Sequence, residues 1–212
     1  DCIDNFRDKN TMKTVLAEES LPVAKQSKIH SLSDIERFLE HTSFPIILKP
    51  LAGVGSQNTL RCSNIEQVYA ALNQLLPSTE NPIQAEEFVQ GEEHTLEAVS
   101  INGTVVWQSS TYYLPGPLAV LENPWLQYCV LLPKEQHPEH VQSFQRINAK
   151  ALKTLGMHTG LSHMEWFRKK DGQAIVSEVG ARPPGVNIMH LMGIAHDVNM
   201  WDKWANLMVH SV

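Results

Sequence analysis

The sequence has few cysteines and no recognisable export signal. Its three cysteines, Cys2, Cys62 and Cys129, are odd in number and far apart, so they form neither a zinc-binding spacing nor a plausible disulfide framework. Three free thiols are typical of a protein in a reducing cytosol. The opening residues also lack the basic and apolar regions of a signal peptide, and we therefore expect a cytoplasmic protein.

Long hydrophobic runs and basic clusters are also missing. No apolar stretch reaches the roughly 20 residues that a membrane span needs, so no membrane partner is expected. The net charge of −6 at pH 7 argues against non-specific nucleic-acid binding, which needs a basic face. The 212 residues are 42% hydrophobic and 19% charged, which allows a sizeable core in one large domain or two small lobes.

Helix and strand patterns alternate along the chain, which favours an α/β or α+β fold. The predicted helices are Asn10–Glu18, Ser33–Leu39 with a capping box from Ser33 to Glu36, Ile65–Leu76, His137–Leu155, and helical material between His190 and Val209. The predicted strands are Pro45–Pro50, Ile83–Val89, and a hairpin of His94–Ile101 with Thr104–Ser109 about Asn102-Gly103. A long loop is expected from Tyr112 to Pro133, with a short strand around Tyr128–Leu132. We expect one lobe over residues 1–84 and a second over residues 85–212.

A second hairpin is predicted near the end of the chain. Asp171-Gly172 is typical of a two-residue type I′ turn, and folding the chain about it places Glu165 opposite Glu178. The same register places Phe167 opposite Val176. A loop one residue longer would send the two glutamates to opposite faces of the sheet.

Two glutamates in this register favour a metal site. Directly opposite side chains have Cβ atoms roughly 4.5–5.5 Å apart, and carboxylates that close repel by about 3 kcal/mol at an effective dielectric of about 20. Such a pair persists if a cation lies between Glu165 and Glu178, or if one of them takes up a proton. Carboxylates with water and phosphate oxygens are the ligands that Mg²⁺ prefers. The alternative is a solvated strand edge with unrelated glutamates.

A lysine at a strand end, followed by a glycine-rich loop, suits a polyphosphate. Gly53 and Gly55 allow backbone N–H groups to approach phosphate oxygens. Lys49 can supply a point charge, and Ser56 and Thr59 can supply hydroxyl donors. The loop is neither a Walker A loop nor a Rossmann fingerprint, and the alternative is an ordinary turn beside a surface lysine.

Two further segments carry candidate binding groups. In Glu86-Glu87-Phe88-Val89 a carboxylate can accept from ribose hydroxyls and the backbone can pair with an adenine edge, although a charged edge strand is an alternative. Arg182 follows Glu178 by four residues. Its guanidinium could hold a developing oxyanion or a substrate carboxylate, or could pair with the two glutamates for structure.

In chain order these pieces resemble the ATP-grasp superfamily. Arg7–Lys13 resembles its opening Asp-Lys helix, Phe44–Pro50 its phosphate lysine on a strand, and the loop to Thr59 its glycine flap. Glu86–Glu97 resembles the hinge followed by the Gly-x-Glu strand. Glu165 and Glu178 with Arg182 resemble the metal-binding pair and the arginine. The resemblance extends to carboxylate–amine (amino-acid) ligases and to the large subunit of carbamoyl phosphate synthetase. It implies an α+β fold whose two α/β lobes, with antiparallel sheets, clasp ATP.

The resemblance also implies a role for each candidate residue. The implied ATP-binding residues are Lys9, Lys49, Gly53, Gly55, Ser56, Glu86, Glu87, Phe88, Val89 and Glu93, the last near the ribose. The implied ligands of Mg²⁺ or Mn²⁺ are Glu165 and Glu178. The implied catalytic residue is Arg182, and weaker candidates for substrate contact are His163, Gly185 and Asn187.

The family members activate a carboxylate as an acyl phosphate, which an amine then attacks, so the resemblance implies an ADP-forming ligase. The expected substrates are small carboxylates and amines, and a homodimer is a further expectation. Gly180 stands where many members have an asparagine ligand, which implies weaker metal binding. Val186 stands where biotin carboxylase has an acidic residue, which argues against bicarbonate.

Two alternative functions remain beside this interpretation, and one domain that relatives carry is expected to be absent. The chain could be a nucleotide-binding module without catalysis. A kinase-like phosphotransferase is disfavoured, because kinases place the glycine loop before the lysine and neither a His-Arg-Asp nor an Asp-Phe-Gly run is present. Relatives usually carry a preceding α/β domain of roughly a hundred residues. We expect that domain to be absent here, so the isolated domain could bind ATP without turnover.

Overall fold

Two antiparallel sheets organise the protein, as seen in a computed structural model that describes residues 2–51, 58–127, 129–134 and 139–210. The first sheet consists of β1 (Gln26–Ile29), β2 (Ile46–Pro50), β3 (Leu60–Cys62) and β4 (Ile83–Glu87), in the spatial order β1-β4-β2-β3. The second consists of β5 (Glu92–Ile101), β6 (Thr104–Leu114), β7 (Cys129–Leu131), β8 (Gly160–Arg168) and β9 (Ala174–Gly180), in the order β7-β6-β5-β8-β9. The expected α+β class is confirmed.

The helices pack around these sheets. They are α1 (Cys2–Arg7), α2 (Lys9–Glu18), α3 (Leu32–Leu39), α4 (Ile65–Leu75), α5 (Pro117–Glu122), α6 (Glu139–Leu155), α7 (Ile188–His196) and α8 (Met200–His210). Within the described ranges, no helix combines the length and the apolar character that crossing a membrane requires.

The starts of two helices show how side chains satisfy free backbone groups. Asp8 caps α2, because its carboxylate accepts from the Thr11 N–H at 2.7 Å. In α3 the cap is Ser31, whose N–H donates to the Asp34 carboxylate at 3.0 Å. The predicted capping box from Ser33 is therefore wrong. Ser31 and Asp34 have the same three-residue spacing and start the helix one residue earlier.

The second sheet has one apolar and one polar face, because side chains alternate along each strand. On the apolar face Leu96, Met164 and Trp166 are fully buried in a core shared with α2 and α6. The opposite face carries buried polar residues, which are Thr95, Glu97, Ser109, Thr111 and His163. The chemistry-bearing side chains therefore lie on the face away from the main core.

Two other apolar clusters complete the core. One lies between the first sheet and helices α3 and α4, around Ile35, Leu48 and Val68. The other packs the start of β8 against α7 and α8, around Leu161, Met192 and Met200. Strand β4 crosses the expected lobe boundary between residues 84 and 85.

The β5–β6 hairpin forms as predicted. Ile101 pairs with Thr104, and Asn102 and Gly103 have φ of 51° and 78°, as a type I′ turn requires. The loop expected after Tyr112 is partly wrong, because β6 continues to Leu114 and α5 follows. The short strand expected near its end is confirmed as β7, which pairs with β6.

Several elements were not predicted. Helix α1 and strands β1 and β3 are short, and β1 (Gln-Ser-Lys-Ile) has no alternation of polar and apolar residues. Such segments become strands only because a neighbouring strand supplies hydrogen-bond partners, which a local pattern does not record.

Trp166 anchors the apolar face of the second sheet and gives a test of this core. It is 1% exposed and stacks on Phe144 with ring centroids 3.9 Å apart. We expect Trp166→Ala to lower the free energy of unfolding by about 3–5 kcal/mol, measured by urea denaturation, because it removes a buried aromatic ring. Trp201→Ala is the control. Trp201 is 54% exposed, so an equally large loss there would contradict the assignment of the core.

Candidate functional site

A cleft of about 380 Å³ lies between the two sheets. It brings together most of the residues singled out from the sequence. Those that line it are Lys9, Lys49, Thr59, Glu86, Glu87, Phe88, Val89, Glu93, Glu165, Glu178 and Arg182. Gly53, Gly55 and Ser56 lie outside the described residues, and His163, Gly185 and Asn187 are not among the residues that line this cleft.

The hairpin of β8 and β9 places Glu165 directly opposite Glu178, as predicted. The turn is different, however. Lys169 donates its N–H to the Gln173 carbonyl at 2.9 Å, so three residues form the loop, and of these only Gly172 has positive φ, at 84°. The predicted type I′ turn is wrong, and this loop is one residue longer than expected.

A β-bulge restores the register that the longer loop would have lost. Trp166 pairs with Val176, but the next pair is Glu165 with Glu178, so Ser177 is an extra residue in β9. One consequence is that Phe167 faces Ile175 and not Val176, which corrects the predicted register near the turn. The extra loop residue and the extra strand residue cancel, so both glutamates face the cleft.

Each of these two glutamates has its own cationic partner. Lys9 Nζ lies 2.9 Å from Glu178 Oε1, and His163 Nε2 lies 3.5 Å from Glu165 Oε1. Burial alone would raise the pKa of Glu165, but its hydrogen bond with His163 and the nearby positive charges outweigh burial and lower the pKa. The repulsion expected between the two carboxylates is therefore offset by protein groups.

His163 lies behind Glu165. It is 5% exposed, and its Nδ1 is 2.6 Å from Oε1 of the fully buried Glu97. Burial opposes its charge, but contacts with Glu165 and Glu97 raise its pKa to about 9. The resulting row Glu97–His163–Glu165 holds the Glu165 carboxylate in place. This position suits support of Glu165 better than the predicted contact with substrate, which stays untested.

Glu86 is the centre of a buried ion cluster with Lys13 and Lys49. Its Oε1 lies 2.6 Å from Lys13 Nζ and accepts from Gln84 at 2.7 Å, while its Oε2 lies 3.0 Å from Lys49 Nζ. Lys13 was not predicted as a site residue. The signal that could have found it is its spacing, since it follows Lys9 by four residues and so lies on the same face of α2.

Charge and burial oppose each other in this cluster. Burial lowers the pKa of Lys13 to about 8 although Glu86 stabilises its charge. Burial would raise the pKa of Glu86, but Lys13 and Lys49 outweigh it and lower the pKa to about 2. Glu86 is therefore ionised at neutral pH.

Glu93 lies near Glu165 and against the start of α5. Burial, together with the negative charge of Glu165, raises the pKa of Glu93 to about 8. Gly116 makes this packing possible, because a Cβ at that position would lie 2.6 Å from Glu93 Oε2. The carboxyl group of Glu93 is therefore mostly protonated at neutral pH.

Gly180 makes room for Arg182. A Cβ on Gly180 would lie 3.2 Å from Cγ and 3.3 Å from Nε of Arg182. The Arg182 guanidinium donates to the Pro183 carbonyl at 3.0 Å and remains exposed at the cleft. An asparagine at position 180 would therefore displace the Arg182 side chain.

Arg61 is a second residue of the cleft that was not predicted. Its guanidinium lies 5.4 Å from the centroid of the Phe88 ring, and its Nε is 3.1 Å from Glu122 Oε1. Arg61 belongs to β3 and Glu122 to α5, two short elements without a clear pattern. Their meeting across the cleft therefore had no sequence signal.

Comparison with known proteins identifies the family. The model of the ATP-grasp domain matches residues 14–190. The chain belongs to the ATP-grasp family. This result confirms the resemblance drawn from the motifs.

The relatives of this ATP-grasp chain include L-amino acid ligases. It is 25% identical over 210 residues to the L-arginine-specific L-amino acid ligase of Bacillus subtilis, with 95% of this chain and 49% of the relative covered. It is 24% identical over 190 residues to the dapdiamide A synthase of Enterobacter agglomerans, covering 84% and 43%. The crystal structure of the L-amino acid ligase from Bacillus licheniformis has a TM-score of 0.71 at 27% identity, covering 90% of this chain and 44% of that one. The chain thus spans about half the length of these relatives.

The donor atoms of this ATP-grasp cleft fit a hard divalent cation. Within the described residues no cluster of three or more His, Cys, Asp or Glu side chains could hold a metal by itself. Glu165 and Glu178 nevertheless present two carboxylates to one cleft, and Mg²⁺ commonly takes one or two carboxylates and completes its shell with water and phosphate oxygens. These two residues would hold the ion, which would neutralise phosphate charge.

Glu93 gives a test of the electrostatics of the cleft. The pKa of Glu93 rises from 4.5 in the unfolded chain to about 8 in the folded protein. The contribution of Glu93 to the free energy of unfolding is therefore highest below the unfolded-state pKa, and it falls as the pH rises to about 8, because the unfolded chain loses this proton more readily. We expect Glu93→Gln to raise the free energy of unfolding by at least about 1 kcal/mol near pH 8 and by much less near pH 5, measured by urea denaturation. Glu36→Gln, on the exposed face of α3, should show no such pH dependence. A gain that is equal at both pH values would refute the raised pKa.

Proposed function

We propose that this chain is the ATP- and Mg²⁺-dependent catalytic domain of a carboxylate–amine ligase, acting in the cytoplasm on small molecules. The observation that carries the proposal is that Glu165 and Glu178 face the same cleft as Lys9 and Lys49. Acids for a metal and lysines for phosphates that line one cleft are what a phosphoryl-transfer site requires. The names of the relatives, an L-amino acid ligase and dapdiamide A synthase, support the ligase class.

The ends of the cleft differ in chemistry, which orients the nucleotide. At one end the lining includes Phe88 and Val89 of the hinge together with Ile47 and Ile175, which precede Lys49 on β2 and Glu178 on β9. That end suits a flat base held by hydrophobic contact and backbone hydrogen bonds. At the other end lie the lysines and the paired glutamates, which suit the triphosphate.

The remaining groups have roles that follow from their positions. A carboxylate oxygen of the first substrate would attack the γ-phosphorus, with ADP as the leaving group. The amine nitrogen of the second substrate would then attack the acyl carbon, and phosphate would leave as the amide forms. Arg182, exposed at the cleft and close enough to lower the pKa of Glu165, would stabilise the negative oxygen that develops in the second step.

A second candidate is a nucleotide-binding module without catalysis. The observation that favours it is Gly180, which has no side chain to serve as the expected third ligand, and a Cβ there would lie 3.2 Å from Arg182 Cγ. Both candidates predict nucleotide binding, and only the ligase predicts turnover. The homodimer expected from the sequence remains a prediction in either case.

Binding of nucleotide with metal is tested by thermal unfolding. We expect Mg²⁺ with ATP at about 100 times its Kd to stabilise the folded state by about 2.7 kcal/mol and to raise the Tm accordingly. Glu165→Gln and Glu178→Gln should each remove most of this gain, because each loses a metal ligand. Asp171→Asn is a matched control at the tip of the same hairpin and should keep the full gain. Equal stabilisation of all four proteins would count against the site.

Turnover is tested by release of ADP. Mixtures of amino acids, each serving as carboxylate or amine donor, are offered together with Mg²⁺ and ATP. The ligase predicts ADP release that needs both substrates, and that falls roughly 100-fold or more in Glu165→Gln. Nucleotide binding without ADP release across broad mixtures would favour the binding module.

A further inference from the structure

Lys13 is the most deeply buried cation of the cleft and has no role in the proposed chemistry. It is 1% exposed in the middle of α2, one turn after Lys9. Burying a lysine is costly unless it is paired, and replacing a buried ion pair with well-packed apolar residues is often neutral or stabilising. A buried lysine at this place therefore calls for a functional explanation.

The partner of Lys13 is itself the partner of the phosphate lysine. Lys13 Nζ lies 2.6 Å from Oε1 of Glu86, and Lys49 Nζ lies 3.0 Å from Oε2 of the same carboxylate. Glu86 is 5% exposed, so solvent screens these contacts weakly. The two lysines thus share one negative charge.

Because both lysines contact the same carboxylate, Lys13 determines how strongly Glu86 attracts Lys49. With Lys13 in place, two lysines and one carboxylate leave a net positive charge beside the cleft. Without Lys13, Glu86 and Lys49 would form a closed pair with no net charge. Lys49 would then have to leave this carboxylate in order to bind a phosphate.

We propose that Lys13 is a positioning residue that neutralises Glu86 and thereby releases Lys49 to bind the phosphates of the nucleotide. Lys13 acts through Glu86, because its ammonium group is buried against that carboxylate. The inference rests on the proposed function, since it takes Lys49 as a phosphate ligand. The inference explains why an acid, Glu86, lies beside Lys49, and why a second lysine, Lys13, contacts the same acid.

The test compares affinities for Mg·ATP and for adenosine, which has no phosphates, by isothermal titration calorimetry. We expect Lys13→Met to weaken Mg·ATP binding at least roughly ten-fold and to leave adenosine binding within about two-fold. Lys13→Arg should restore most of the loss, because it keeps the charge. Equal weakening for both ligands would show a merely structural role and would overturn the inference.

Lys13→Met alone leaves the buried Glu86 carboxylate without its Lys13 partner, and this could prevent folding. A second comparison therefore makes the same change in Glu86→Gln, which has no carboxylate at that position. If Lys13 acts only through Glu86, then adding Lys13→Met to Glu86→Gln should change Mg·ATP affinity by less than about two-fold. A further loss of roughly ten-fold in that background would mean that Lys13 itself contacts phosphate, and would overturn the inference. Wild-type protein that binds no Mg·ATP would refute the proposed function and this inference with it, whereas normal wild-type binding with an unaffected Lys13→Met would refute the inference alone.

Discussion

The pairing of Glu165 with Glu178 across the β8–β9 ladder is the constraint on which the rest of the site depends. Strand geometry brings the two carboxylates to one face, and their repulsion must then be offset by cationic groups. Lys9 does so from α2, and His163 does so from the neighbouring position on the same face of β8. Helix α2 is therefore tied to the second sheet by charge as well as by its buried apolar residues. The same tie fixes the cleft wall that carries Lys9.

Helix α2 serves the core and the cleft at once, which its sequence makes possible. Met12 and Leu16 lie four residues apart and enter the main core, while Lys9 and Lys13 lie four residues apart on the adjacent row. Displacing the helix would therefore both open the core and unpair Glu178 and Glu86. This coupling explains how the charged side chains of the site are held in place by the apolar core.

Sequence patterns predicted most of the fold and most of the residues of the cleft. They gave the wrong turn and the wrong local register in the β8–β9 hairpin, where two irregularities compensate each other. The Asn102-Gly103 turn, the long helices and the facing glutamates follow from local patterns. The β8–β9 register was right for an incomplete reason, since the longer loop and the bulge at Ser177 cancel and neither has a sequence signal of its own. Arg61 and Glu122 were missed because the strand and helix that carry them are too short to show a period. Lys13 was missed because burial of a lysine depends on a carboxylate 73 residues away.

The charges that line the cleft explain why a metal and a nucleotide suit it better together than separately. Lys9 is held by Glu178, and Lys49 by Glu86. A triphosphate that drew Lys9 away would leave Glu178 facing negative oxygens without a partner, which is unfavourable in a partly buried site. Glu165 and Glu178 would hold a divalent cation, which would supply the positive charge that Glu178 loses if Lys9 turns to a phosphate. The ion pairs of Lys9 with Glu178 and of Lys49 with Glu86 therefore favour binding of nucleotide together with metal, because a nucleotide alone would leave Glu178 without a partner of opposite charge.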